Sequence, residues 1–327
     1  MKNRTIGIDL ARTTAILGVV LVHVTGLGVG RFGVQLFFII SGFLLADLST
    51  FTNKQFLLHR AFRLFPLSFM FILIFYLDDF SNYSLFFNLV LLQNLAWTID
   101  SFPGGWSISS EWIFSLLLVV IRAYPKKILY ILLCTSSIIS ILLGFYVYKT
   151  GGADISQGLG TYTFKTWLNT TNPFINISFF LVGVCMKRGF IDLSRIHFLI
   201  GFLGLSIMLF FDNYFGHLLV AWIPVLAIVF SWCLKFKSKN RSLNKIISFI
   251  GKRTYGIFFA HFLFLGNSFF TDVYEYSNLT EISIVVKVLN FITVFSLSVI
   301  IGTFTYKFIE KPFMRFSILI EDKYFTS

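Results

Sequence analysis

Several ionisable side chains stand where the surrounding sequence is apolar, and they set the chemistry open to this chain. The first apolar run, IGIDLARTTAILGVVLVHV, carries Asp9, Arg12 and His23. Such groups cost roughly 2.5–3.5 kcal/mol each at the centre of a membrane helix on insertion scales, so by default they mark a functional site. Asp9 and Arg12, three positions apart, can pair on one helix face. A structural ion pair near the membrane surface is the plain alternative to a site role. Arg12 and His23 lie on a common face about three turns, or about 16 Å, apart. Neutral imidazole is the usual general base near pH 7; the competing reading for His23 is packing against a neighbouring helix.

Two further elements add polar groups. Arg60 and Arg63 lie one turn apart in NKQFLLHRAFRL (53–64), read as an interfacial helix running into Pro66. Two guanidiniums on one face suit a phosphate-bearing ligand, because each can donate two parallel hydrogen bonds. Topology or lipid contact would use the same residues. Glu111 follows GGWSISS at the start of an apolar run. There a carboxylate either caps the helix or, among aromatics, serves a site. Cys134, Cys185 and Cys233 all lie in apolar segments without a C-x-x-C or Cys/His cluster, so neither a disulfide framework nor a metal site is expected.

The elements that must hold these residues are membrane helices. Of 327 residues, 56% are hydrophobic and 13% charged, with a mean hydropathy of +0.81. A soluble domain carries about 25% charged residues, and 43 Phe exceed what a water-soluble core absorbs. Apolar stretches of about 20 residues, the length that crosses a bilayer core, are predicted near 6–26, 32–48, 64–79, 84–99, 107–122, 128–148, 173–187, 196–212, 218–234, 254–270 and 284–306. Lys2 and Arg4 ahead of the first stretch resemble a signal peptide. Asp9 and Arg12 interrupt it and no small-residue cleavage site follows, so the segment is expected to be a retained membrane helix. A net charge of +12 does not indicate nucleic acid here, because the basic residues sit in short loops between apolar spans.

Charge also orders the topology. If 84–99 re-enters or lies at the interface rather than crossing, most of the 27 basic residues fall on one side. These include Arg60 and Arg63, Lys126 and Lys127, Lys187 and Arg188, and the cluster from Lys235 to Arg253. The opposite loops are comparatively acidic, with Asp78, Asp79, Asp272, Glu275 and Glu281. The fold predicted is all-α: one polytopic membrane domain over 1–327, a bundle of about ten transmembrane helices plus one re-entrant or interfacial segment. Both termini are placed in the cytoplasm. The longest outer loop, about 149–172, is either a connector or a lid over an outward-facing site. No internal repeat is evident, which counts against an inverted-repeat transporter.

The same residues carry a family resemblance. IDLARTTAILGVVLVH resembles the first-helix signature of the acyltransferase-3 family, an Arg and a His separated by ten residues. GVQLFFIISGFLL (33–45) is similar to its second helix, RAFRLFP (60–66) to its Arg-x-x-Arg element, and WSISSE (106–111) to its Trp-Ser-Leu-x-x-Glu motif. GKRTYGIFFAHF (251–262) and YKFIEKPFMR (306–315) resemble its two C-terminal signatures, so the likeness runs over about 5–315 in family order. Two departures stand out: Gln35 replaces a common acidic residue, and WIFSLL after Glu111 lacks further polar residues. The fused extracytoplasmic esterase-like domain of some members is not seen, so the membrane domain is expected to act alone or with a partner.

What the resemblance implies is O-acylation of a carbohydrate at a bacterial cytoplasmic (inner) membrane. Acyl-CoA, acetyl-CoA foremost, would be the co-substrate, with its phosphates near Arg60 and Arg63, its pantetheine arm beside the Arg12 face and its thioester close to His23; Arg12 would orient the arm or polarise a partner. His23 would act as general base on the acceptor hydroxyl, or carry the acyl group itself. Glu111 would orient His23 or bind the acceptor. The acceptor is expected in O-antigen lipopolysaccharide, capsule, exopolysaccharide or a lipid-linked glycan precursor. Expected partners are that glycan, acyl-CoA and membrane lipids; no nucleic acid and no metal is expected, and homo-oligomerisation stays open. His261 is the nearest competitor of His23, with packing as its leading reading. Two other classes remain open from sequence: a transporter whose Asp/Arg/His set relays protons, and a non-catalytic polysaccharide-assembly protein of the same fold.

Overall fold

The computed structural model describes residues 5–25, 32–46, 52–75, 82–96, 103–149, 171–189, 222–265 and 283–325. Most of the 149–172 loop, the span expected at 196–212, and His197 and His217 lie outside them. Among the described residues there are helices and no strand. They are α1 (Ile6–Thr25), α2 (Phe32–Leu45), α3 (Asn53–Phe75), α4 (Asn82–Leu89), α5 (Gln93–Ala96) and α6 (Gly105–Ile121). There follow α7 (Lys126–Lys149), α8 (Pro173–Lys187), α9 (Ile223–Lys235), α10 (Arg241–Leu265) and α11 (Ser283–Thr305). A π-helical turn, Tyr306–Glu310, then joins α11 to α12 (Lys311–Tyr324).

Four helical stretches are long and apolar enough to cross a bilayer: Ile6–Thr25, Asn53–Phe75, Lys126–Leu143 and Ile284–Tyr324. Four shorter apolar helices are α2, α6, α8 and α9. The distribution of polarity fits a membrane. Tyr130, Ile131, Ile138 and Leu142 on α7, and Ile284, Val285, Ile300 and Phe304 on α11, are exposed. Ser68, Asn88, Gln93, Asn94, Ser109, Asn176 and His261 are buried. Water would penalise that exposed apolar surface; hydrocarbon does not.

Three elements depart from the expected boundaries. Pro66 does not end a helix: α3 runs unbroken from Asn53 to Phe75 with Pro66 inside it. Membrane helices tolerate such a proline because neighbouring groups re-satisfy the freed backbone. Helix α10 starts at Arg241, well before the apolar run; Arg241, Lys245, Lys252 and Arg253 make its first half too charged to register as a span. The last helix does not stop at 306 but continues through the π turn into α12, whose exposed Phe313, Phe316, Ile318 and Leu319 alternate with Lys311, Arg315 and Lys323. That pattern suits an interfacial helix.

The chain divides into two compact units. The first comprises Met1–Phe37 and Trp232–Arg315, and the second Phe38–Ser231 and Phe316–Ser327. In the first, α1 and α11 pack on α10, and small residues let the backbones approach. A Cβ on Gly251 would stand 2.7 Å from the Asp9 carbonyl oxygen, and one on Gly256 2.9 Å from the Gly302 Cα. Thr13 ties α1 further to α10, its Oγ1 lying 2.8 Å from the Asp9 oxygen and 3.3 Å from that of Ile247.

In the second unit α6 packs on α3 and α8, and α7 on α8. Phe114 fills the centre, its ring 5.2 Å from Phe38 and 5.3 Å from Phe180. Gly42 and Gly183 bring α2 and α8 into backbone contact: added methyl groups would run into the carbonyls of Phe180 and Ile39 respectively. The 82–96 segment is broken at Leu91, where φ is 55°. Helix α4 alone is about 12 Å long, well short of a bilayer core of about 30 Å. The break is held by buried polar groups: Asn94 Nδ2 donates to Ser110 Oγ (2.8 Å) and to the Thr171 carbonyl (2.6 Å), and Gln93 Nε2 to the Gly105 carbonyl (3.2 Å). Irregular backbone at membrane depth requires such internal partners.

Candidate functional site

In the first unit α1 holds Arg12 and His23 on one continuous helix, so the two stand about 16 Å apart along its axis. Asp9 is buried, whereas Arg12 and His23 are half-buried. His23 Nδ1 lies 2.8 Å from the Val19 carbonyl oxygen. A carbonyl oxygen only accepts, so Nδ1 carries the proton and Nε2 holds the lone pair. The ring is therefore set up as a proton acceptor at Nε2. Its neighbour is His261 of α10, whose Nε2 lies 3.3 Å from His23 Nδ1. The ring centroids are 5.2 Å apart. Phe262 packs edge-on against His23 at 5.1 Å, and Phe258 lies 5.8 Å from His261.

In the second unit Arg60 of α3 meets Glu111 of α6, with Nη2 to Oε1 at 2.7 Å. Ser41 at the end of α2 donates to the same oxygen at 2.9 Å. Arg60 Nε donates to Ser115 Oγ at 3.1 Å, and Ser115 donates in turn to the Glu111 carbonyl at 2.7 Å. The side chains of Arg60 and Glu111 are 10% and 20% exposed, so the pair is largely removed from water and neither charge is isolated. Two bonds occupy two of the five guanidinium N–H groups of Arg60. Arg63, one turn on, is half-buried and within electrostatic reach of Glu111.

The structure thus groups the residues expected from sequence differently from their order in the chain. Arg60, Arg63 and Glu111 come together. Glu111 is the seventh residue of α6, too far along the helix to cap its N-terminus. His23 is joined by His261, while Arg12 remains three turns away. Sequence reasoning gave no part to Ser41 and Ser115. Ser41 lies in the SGF motif beside Gly42, which the structure packs against α8. His59 lies in the 53–64 segment, read from sequence as interfacial. It bonds Ser317 Oγ through Nδ1 and Glu321 Oε2 through Nε2, both at 2.8 Å, tying α3 to α12. Among the described residues no group of three or more His, Cys, Asp or Glu could hold a metal ion.

These features define a helical integral membrane protein with paired ionisable side chains inside an apolar shell. The chain belongs to the acyltransferase-3 family: the model of that acyltransferase domain matches residues 5–307, covering His23, the Arg60–Glu111 pair and His261. No curated protein and no solved structure matches the chain.

Proposed function

We propose that this protein transfers an acyl group, acetyl foremost, from cytoplasmic acyl-CoA to a hydroxyl of a cell-surface carbohydrate or its lipid-linked precursor. The observation that carries the reading is His23, a half-buried imidazole in an apolar helix, with Nδ1 engaged by Val19 and Nε2 left as the basic atom. In the proposed reaction Nε2 accepts the acceptor's hydroxyl proton as the oxygen attacks the thioester carbonyl. The C–O bond forms, the C–S bond breaks, and the proton passes from His23 to the departing CoA sulfur.

Arg60 and Arg63 bind the CoA phosphates in this proposal. The Glu111 and Ser115 bonds hold the Arg60 fork in one orientation. Arg12, on the His23 face of α1, orients the donor. The protein resides in a bacterial inner membrane with about ten spans and both termini cytoplasmic, which puts most basic residues inside.

The test uses purified full-length protein in lipid bilayers with acetyl-CoA labelled in the acetyl group. The acceptor is the lipid-linked glycan fraction of the cells that carry the gene. Label appearing in the glycan, with release of free CoA, supports the reading. No label and no CoA release would return the chain to the transporter or assembly-partner classes.

A further inference from the structure

We infer that His261 is a positioning residue for His23: its Nε2 lone pair faces the His23 Nδ1 proton as a second acceptor and holds the ring in the orientation that leaves Nε2 as the base. The inference rests on the acyl-transfer reading above.

Two contacts converge on one atom. His23 Nδ1 is 2.8 Å from the Val19 carbonyl and 3.3 Å from His261 Nε2. The first fixes the hydrogen on Nδ1. A second N–H pointed at that hydrogen would repel it, so His261 Nε2 is unprotonated and accepts, and His261 carries its proton on Nδ1. That Nδ1 is buried beside the carbonyls of Ile257 and Phe258 on its own helix. A phenylalanine between Phe258 and Phe262 would bury no polar atom at all, so packing alone does not account for a histidine here.

The division of roles follows from access. His261 has no exposed surface and cannot reach a substrate hydroxyl, whereas His23 is half-buried. When His23 Nε2 takes the hydroxyl proton, the ring becomes an imidazolium whose Nδ1–H is held by two acceptors instead of one. This is the role an orienting third group plays in a nucleophile–base constellation, filled here by a neutral ring suited to a site with little water. Gly251 contributes from a distance. Its missing side chain lets α10 lie against the backbone of α1 at Asp9, and that approach holds the two histidine-bearing helices together.

The experiment compares His261→Phe, His261→Asn and His261→Gln with the unaltered chain in bilayers. It measures CoA release from acetyl-CoA with the lipid-linked glycan fraction as acceptor. Gln reaches the Nε2 position with a carbonyl oxygen, Asn stops short of it, and Phe fills the space without an acceptor. Orienting partners of histidine contribute about 10- to 100-fold in metal sites and up to about 10⁴ in a serine-protease triad. With Val19 still bound, the expected loss in kcat for Phe and Asn is about 10- to 100-fold, with KM for acetyl-CoA within about two-fold. Gln should recover about ten-fold over Asn. Near-normal kcat for Phe and Asn, or Gln no better than Asn, overturns the inference, and the Asn–Gln contrast decides if the Phe variant does not accumulate. A silent unaltered chain, or a fully active His23→Ala variant run alongside, overturns the parent reading and this inference with it.

Discussion

Arg60 donates to Glu111 across two helices whose sequence positions are 51 apart, at 2.7 Å, and Ser41 donates to the same carboxylate oxygen from a third helix. Three signature elements of the chain therefore meet at one atom. Removing either charge leaves the other in a largely desolvated place, which is costly even where the intact pair adds little net stability. The pair retains some exposure, so the expected coupling in a double-mutant cycle is about 1–2 kcal/mol. Arg60→Ala and Glu111→Ala should each lower the thermal midpoint in detergent, and the double variant should be no worse than the worse single. Fully additive losses would mean that the contact carries no coupling.

The glycine contacts predict a contrast. A methyl group on Gly183 would run into the Ile39 carbonyl, a backbone atom that moves only if α2 and α8 separate. Overpacking of this kind costs about 1–3 kcal/mol. Gly189 has φ of +71° and open space around its Cβ position, so Gly189→Ala meets backbone strain of about 1 kcal/mol and no clash. Folded yield and thermal midpoint should fall further for Gly183→Ala than for Gly189→Ala. The reverse order would show that the α2–α8 contact is not tight.

How much of this was legible in the sequence depended on whether the signal was local. The run 173–187 coincides with α8 because Asn172, Pro173 and the apolar stretch to Lys187 mark both ends, and the Asn172 side chain does accept from the Phe174 N–H. The first half of α10 was not legible as helix, because Arg241, Lys245, Lys252 and Arg253 read as a basic loop while every third or fourth residue is apolar. His23 and Glu111 stood out as ionisable residues among apolar ones. Ser41 did not, since a serine in a membrane helix usually bonds its own backbone. The His23–His261 contact joins residues 238 positions apart, and no periodicity within either helix encodes it.

Topology gives a test independent of chemistry. The broken 82–96 segment, with Leu91 in the left-handed region and its polar groups bonded to α6, accords with a segment that does not cross. Reporter fusions after residue 103 and after residue 125 should then read outside and inside respectively. The opposite pair of readings would invert every later loop and overturn the ten-span arrangement.

The two arginines of α3 should separate by the kind of defect their loss causes. Both are proposed to meet the CoA phosphates; Arg60 also anchors Glu111 and Ser115, and Arg63 adds to the field at Glu111. Arg63→Ala should raise KM for acetyl-CoA by about ten-fold, the equivalent of about 1.4 kcal/mol for one charge-assisted contact. Arg60→Ala should raise KM similarly and lower the midpoint as well, because Glu111 loses its counter-charge. Lysine at position 63 should restore part of the affinity, since a point charge still attracts phosphate without the bidentate fork. Reversing both charges should abolish saturable acyl-CoA binding in protein that still inserts. If binding to that double variant is unchanged, the phosphates of CoA are held elsewhere, and Arg60 is a structural partner of Glu111 alone.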